Sequence, residues 1–506
     1  MLFNSYRFIF VFLPITMAGF HLLGRLGRRP VIAWLSLCSL VFYAWWKPIF
    51  LLFLLASILV NYGVSVAISK SQEDSPARTR TLVLGIVLNL GALFYFKYLY
   101  GTLILLHTLH VPSPQPFSIL LPLGISFFTF TQISFLVDLS QGQAERQDLL
   151  SYVLFVTFFP HLIMGPILHH KEMMPQFAPG RRYRMVPADV SVGLTWFLMG
   201  LGKKVLIADF LAAGADASFA RAGAQGAASA WGGLVLYTMQ LYFDFSGYSD
   251  MALGLARIFS IRFPLNFDSP FKATSVTEYW QRWHMTLTRY ITLYLYNPIL
   301  LHVQRKRMAA GRKVSRKALA TPEGFLAMAA YPTFVTMLLT GLWHGAGAKF
   351  LIFGLLHGLY LTANLAWRSF RQRNKTASEP ERSELTTFFM RLGVYVQVAL
   401  ALVFFRADTL HAAIAMLGSL FFFHGTGHAG SLLDAAAGFA LFPVVWYLPN
   451  TQQILGEEPA SGAAPTPWLS RLRWTPNLGW ALAMAVLFFA VLANLGDTKS
   501  FLYFQF

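Results

Sequence analysis

Charge is what this chain has least of. Only 12% of its 506 residues are charged, against 56% hydrophobic and 16% aromatic. A soluble domain carries about twice that share of charge. A soluble globule of this length is therefore excluded. Acids are scarcer than bases, 22 against 40, which leaves a formal charge of +18. Cysteine is almost absent: Cys38 alone rules out an internal disulfide and any thiolate metal cluster. It lies in an apolar run, where a lone thiol packs as a small hydrophobe. Also missing are a Gly-rich phosphate loop, a nucleophile elbow and an H-E-x-x-H zinc motif.

What is present is one apolar run after another, each long enough to cross a bilayer as a helix. A closed β-barrel would instead show short alternating strands. The fold class is all-α, a polytopic membrane protein. Candidate spans are 7–24, 31–45, 49–68, 81–106, 117–137, 187–212, 230–259, 321–342, 349–366, 387–404, 409–424, 434–448 and 476–494. The bases sit in short loops between these runs, the positive-inside pattern. The charge thus reports topology and anionic lipid neighbours, not nucleic acid. Arg25, Arg28 and Arg29 follow the first run instead of preceding it. This argues against a cleaved signal peptide and places the N-terminus outside. Seven Lys and Arg with no acid make 304–317 the strongest cytoplasmic marker. No internal repeat is evident.

Several stretches depart from simple spans. The segment 151–177 is apolar but broken at Phe159-Pro160 and Gly165-Pro166, which predicts a re-entrant segment covered by protein. Lys203-Lys204 reads as a helix end or interface, and the small-residue stretch 212–230 as a linker. From 262 to 303, charges, aromatics and hydroxyls interleave, predicting short amphipathic helices at an interface. The runs 321–342 and 349–366, with basic flanks on one side, form a hairpin whose turn holds Trp343-His344-Gly345.

An imidazole between apolar runs is a functional hypothesis by default. His344 can act as a general base, since an unperturbed pKa of about 6.5 keeps a neutral fraction at working pH. His357, 13 residues on, would face roughly 220° away on a continuous helix, so a shared metal is disfavoured. A neutral histidine bonded to a carbonyl and holding two helices together is the plainer use of both. His284, in Glu278-Tyr-Trp-Gln-Arg-Trp-His284, is the second candidate: one histidine takes a proton while the other positions a reactant. Asp244 and Asp250 lie in an apolar run, where pairing with a buried arginine or backbone donors is the ordinary role. Asp138 and Arg406 read as structural charges at span ends, and His161, His169 and His170 as polar groups serving the broken segment. Residues alone leave two classes open: an enzyme drawing substrate from the bilayer, or a transporter or flippase for a glycan or lipid intermediate.

With the transporter or flippase as the alternative, the first is favoured by several motifs together. These are Gly124-Ile-Ser-Phe-Phe-Thr-Phe130, Phe158-Phe-Pro-His-Leu-Ile-Met-Gly-Pro166, Tyr242-Phe-Asp-Phe-Ser-Gly-Tyr-Ser-Asp250, Trp280-Gln-Arg-Trp-His284, Leu342-Trp-His-Gly345, Leu356-His-Gly358, Phe404-Phe-Arg-Ala407, Pro449-Asn-Thr-Gln-Gln453 and Tyr503-Phe-Gln-Phe506. With them the chain resembles the membrane-bound O-acyltransferase family, in its bacterial alginate O-acetylation branch. His161 departs from the family pattern, which has Gln there. The resemblance implies a single domain over 1–506, with N-terminal helices to 137, a catalytic core over 138–370 and C-terminal helices from 371. It implies about 11–13 transmembrane helices around a central funnel, with re-entrant segments. His344 matches the essential histidine and His284 its partner. Trp343, Trp283, Arg282, Gln240, Asp244 and Tyr242 are the candidate substrate-binding residues. The implied reaction moves an acyl group, expected to be acetyl, from a cytoplasmic thioester (acetyl-CoA or acyl carrier protein) to a polysaccharide hydroxyl or a periplasmic partner. No metal or bound cofactor is expected, and the setting is the bacterial inner membrane.

Overall fold

Apolar chain in a bilayer must satisfy every backbone N–H and C=O within its own segment, and helices do so. The computed structural model describes residues 1–178, 183–373, 383–422, 432–457, 472–496 and 500–502. Every regular element among them is helical. Arg181, Arg182, Lys375, most of 451–474 and Tyr503–Phe506 lie outside the described residues.

The helices run α1 (Phe8–Leu23), α2 (Arg28–Ala44), α3 (Ile49–Lys70), α4 (Pro76–Thr108), α5 (Ile125–Ser140), α6 (Leu149–Thr157), α7 (Pro187–Ala220) and α8 (Ala227–Ile258). They continue as α9 (Val276–Arg282), α10 (Met285–Ile291), α11 (Pro322–His344), α12 (Ala348–Arg373), α13 (Glu384–Arg406), α14 (Leu410–Phe422), α15 (Leu432–Tyr447) and α16 (Leu478–Ala493). Among the described residues six, α3, α4, α7, α11, α12 and α13, are long and apolar enough to cross a membrane, and five shorter apolar helices join them. The chain is a multi-pass membrane protein.

Two compact units emerge, each assembled from non-consecutive stretches. The first is Met1–Leu206, Asp244–Leu265 and Arg473–Gln505. The second takes in Ile207–Phe243 and Asn266–Leu472.

The first unit has an aromatic core. Phe3, Phe8, Phe12 and Phe42 gather around Phe159, with ring centroids 5.3–6.4 Å from it. Phe159 belongs to the broken segment. Helix α6 stops at Thr157, before Pro160. The freed backbone is repaired locally: the Phe159 N–H donates to Ser39 Oγ at 3.0 Å, and His161 Nε2 donates to the Phe155 carbonyl at 3.0 Å. After Pro166 the chain is non-helical until a single turn at His170–Met173.

Three boundaries differ from the sequence reading. The span placed at 117–137 is helical only from Ile125, because Pro116 and Pro122 restrict the residues before it and Gly124 caps it at φ 73°. The small-residue stretch is no linker to begin with, since α7 continues to Ala220. Nor do Lys203 and Lys204 mark a helix end. They open a π turn, Lys203–Ala208, inside α7. There Lys204 pairs with Asp244 at 2.7 Å and Lys203 with Asp250 at 2.6 Å. The acids find lysine where arginine was expected. Asp244 also accepts from the Leu502 backbone N–H at 3.1 Å.

In the second unit α11 and α12 form the expected hairpin. Its arms touch backbone to backbone. A Cβ on Gly341 would lie 2.3 Å from the Phe350 carbonyl oxygen, and one on Gly354 2.4 Å from that of Met337. Only glycine allows that approach. The 262–303 region breaks into short helices as expected, including α9 and α10. Before α9, residues 266–268 run extended beside 282–285: the Asp268 N–H donates to Arg282 O, and the Met285 N–H to Asn266 O, both at 2.9 Å.

Candidate active site

The two histidines singled out from sequence both lie in the second unit. His344 is the last residue of α11, and the chain turns extended at Gly345. Its ring is buried among aromatic faces, with centroids 4.7 Å from Trp343, 5.0 Å from Phe405 and 5.8 Å from Phe353. Phe353 in turn packs against His357 at 4.6 Å, and the Trp280 indole N–H donates to His357 Nδ1 at 3.2 Å. His357 thus joins α12 to α9, the helix-holding role that sequence favoured for it. A continuous run of contacts links the His344 turn to the segment carrying His284.

His284 sits in the short turn between α9 and α10 with φ 45° and ψ 52°. A non-glycine residue in this left-handed region costs roughly 1–3 kcal/mol and persists only where its surroundings hold it. Here the holder is Asn266. Its Oδ1 accepts from the Thr286 backbone N–H at 3.4 Å and from the Thr286 hydroxyl at 2.9 Å. An atom that accepts from a backbone N–H is the oxygen, so His284 Nδ1, 3.0 Å away, must be the donor. The proton is therefore on Nδ1 and the lone pair on Nε2. Burial pushes the His284 pKa down to about 3, so the ring stays neutral.

A polar platform fixes this turn. The Arg282 guanidinium bonds Glu278 at 2.9 Å and the Asp268 backbone carbonyl at 3.0 Å. Asp268 accepts from the Asn450 side chain at 2.9 Å, and the Gln452 amide donates to Phe267 O at 2.8 Å. Trp283 stacks on Tyr279 at 5.8 Å and meets Phe267 edge-on at 5.0 Å. Tyr242, on α8, packs on Phe267 and Phe271. Gln240, two residues earlier, is buried, and its Oε1 has no partner among the described residues.

The structure thus brings His344, His284, Trp343, Trp283, Arg282, Gln240 and Tyr242 into one unit. Asp244 belongs to the other, in its ion pair with Lys204. The sequence reading missed Asn266, Thr286 and Asp268. Gln452 and Asn450 were visible only as part of a motif.

A model of the MBOAT, membrane-bound O-acyltransferase, family matches residues 138–311, which include His284. The chain is 36% identical over 444 residues to the peptidoglycan O-acetyltransferase of Helicobacter pylori, covering 82% of this chain and 79% of the relative. It is 34% identical to the probable alginate O-acetylase of Pseudomonas aeruginosa, with 100% of both chains covered. The chain belongs to the membrane-bound O-acyltransferase family. A more distant similarity, 26% over 251 residues, is to the teichoic acid D-alanyltransferase of Streptococcus thermophilus, covering 48% of this chain and 57% of that one. As a membrane-bound O-acyltransferase, the chain is an enzyme that transfers an acyl group to a hydroxyl.

Proposed function

We propose that this enzyme O-acetylates an extracytoplasmic polysaccharide from a cytoplasmic acyl thioester, either directly or through a periplasmic relay protein. The setting is the bacterial inner membrane. Support for acetyl and for a glycan comes from the relatives, whose acceptors are peptidoglycan and alginate. The observation that carries the mechanism is the fixed, neutral His284 joined through Trp280, His357 and Phe353 to the His344 turn.

His344 is the general base. It takes the proton of the acceptor hydroxyl as that oxygen attacks the thioester carbonyl. The C–O bond forms, the C–S bond breaks, and the proton passes from His344 to the departing thiolate. His284 offers the Nε2 lone pair. It can hold a hydroxyl but cannot donate to an oxyanion, so it orients the acceptor. Gln240 Oε1 is a second buried acceptor for substrate hydroxyls, and Trp283, Trp343 and Tyr242 supply apolar walls. Arg282 and Asp244 act through the framework, their charges engaged by Asp268, Glu278 and Lys204.

The test is turnover of a labelled acetyl thioester by purified protein in nanodiscs, wild type against His344→Ala. Loss of a positioned general base costs about 10²-fold or more. No turnover by the wild type with acetyl or longer thioesters, with a relay partner supplied, would overturn the reading and turn attention to glycan transport.

A further inference from the structure

The acyl-transfer reading leaves one cluster of ligating side chains unused. It lies in the first unit, where the end of α5 meets the chain after Pro166. His169 Nε2 and His170 Nε2 both stand 2.9 Å from the same oxygen, Asp138 Oδ2. All three ligand atoms fall within 4.8 Å of one another. Asp138 and His170 are buried, while the His169 side chain keeps 15% of its surface exposed.

We propose that Asp138, His169 and His170 bind one first-row divalent cation of the zinc class. Around tetrahedral zinc, with bonds of about 2.0–2.1 Å, neighbouring ligand atoms lie about 3.3 Å apart. The two N–O separations here need to open by only a few tenths of an ångström to admit the ion. The ligand chemistry selects the metal. Two imidazoles with a carboxylate and no thiolate suit Zn²⁺ or Co²⁺. Mg²⁺ and Ca²⁺ want oxygen shells that this corner does not offer. The partial exposure of His169 leaves a route for the ion and for a water as fourth ligand.

The scaffold is held in place before any ion arrives. The Arg78 guanidinium donates to the carbonyls of Leu139 at 2.7 Å and Ser140 at 2.9 Å, fixing the end of α5 beside Asp138. The His170 ring packs edge-on against Phe135. Metal bonds replace the two N–H···O contacts to Asp138, each ring's proton moving from Nε2 to Nδ1 by way of solvent, and one further bond must give way. His169 Nδ1 accepts the Lys171 backbone N–H at 3.2 Å, so its ring proton is on Nε2. When Nε2 ligates, that proton leaves and Nδ1 takes one from solvent, releasing Lys171 N–H. Metal capture thus pins α5 to the broken segment while loosening the cap of the turn at His170–Met173.

The experiment uses the full-length protein without a histidine tag, stripped with a chelator in detergent and re-equilibrated with Zn²⁺. One equivalent of zinc per chain by elemental analysis is expected. Co²⁺ in its place should give the visible absorption of a tetrahedral nitrogen–oxygen site. Asp138→Asn and His169→Asn should each weaken binding by at least about 10-fold, the loss that even outer-shell substitutions produce. His169 is the partly exposed ligand, so His169→Asn serves if Asp138→Asn fails to fold. Faster hydrogen exchange at Lys171 on adding Zn²⁺ should accompany binding. Zinc well below one equivalent in the wild type would overturn the proposal, as would equal binding by wild type and His169→Asn.

Discussion

The lysine–aspartate pairs of the first unit and the histidines of the second bury polar groups in opposite ways. In the first, opposite charges are matched. Lys204 and Asp244 are each almost wholly buried and lie 2.7 Å apart, with Lys203 and Asp250 beside them. In the second, the buried candidates are imidazoles: His344 among three aromatics, His357 under Trp280, and the neutral ring of His284 on Asn266. A matched ion pair has no chemistry left to offer. Its electrostatics are spent on holding helices in register. A neutral imidazole keeps a lone pair that a reactant can use, and enclosing it costs far less than enclosing an ion. The buried Lys–Asp pairs therefore serve structure, and the buried imidazoles of the second unit serve the candidate site.

That contrast can be broken experimentally. The largest effect should come from halving an ion pair. Lys204→Ala strands Asp244 and should destabilise the protein by about 3–5 kcal/mol, read as a melting shift in detergent. The double variant Lys204→Met/Asp244→Leu should recover most of that loss. If it does not, the pair does more than hold helices. His344→Gln, which fills most of the ring's volume, should do the reverse: shift melting far less than Lys204→Ala and lower acetyl turnover by about 10²-fold or more. Asn266→Ala frees the His284 ring and should cost up to about 10²-fold in turnover, mostly in kcat, as misplacement of a positioned group does. Gln240→Leu should be milder. It removes one hydrogen bond, worth about 1 kcal/mol, and should appear as a several-fold rise in acceptor KM.

A separate effect is on the pH dependence of stability, and its sign is fixed. His284 titrates at about 3 when folded and about 6.5 when unfolded. Between those values the unfolded chain binds the extra proton. The stability due to keeping this ring neutral is complete above pH about 6.5 and declines as pH falls toward 3. Melting curves of wild type and His284→Gln should therefore converge on acidification.

How much of this was legible beforehand varied with the distance over which it was determined. Helices follow from apolar runs, which are local, and the break at Pro160 follows from proline chemistry. The start of α5 was misjudged because Phe117 to Leu121 is as apolar as a span, yet it lies between Pro116 and Pro122. Lys203-Lys204 looked like an end because charges without partners are costly at mid-membrane. A π turn and two acids some forty residues on give both lysines a partner. His344 and His284 were visible as imidazoles where imidazoles are costly. The tautomer of His284 was not. It depends on Asn266, 18 residues upstream, on a platform that Asn450 completes from 182 residues away.

The contact between Gly341 and Gly354 sets a mechanical limit on His344. Three residues of helix, about 4.5 Å of rise, separate Gly341 from the histidine. With the two backbones in direct touch, α11 is anchored at that point and only this short arm is left to swing. A rocking motion of about 5° would carry the ring through about 0.4 Å, inside the roughly 0.5 Å tolerance that a working constellation allows. A histidine at the very end of a helix would ordinarily be a poorly aimed one. Here the aim is fixed by the absence of two side chains one turn away.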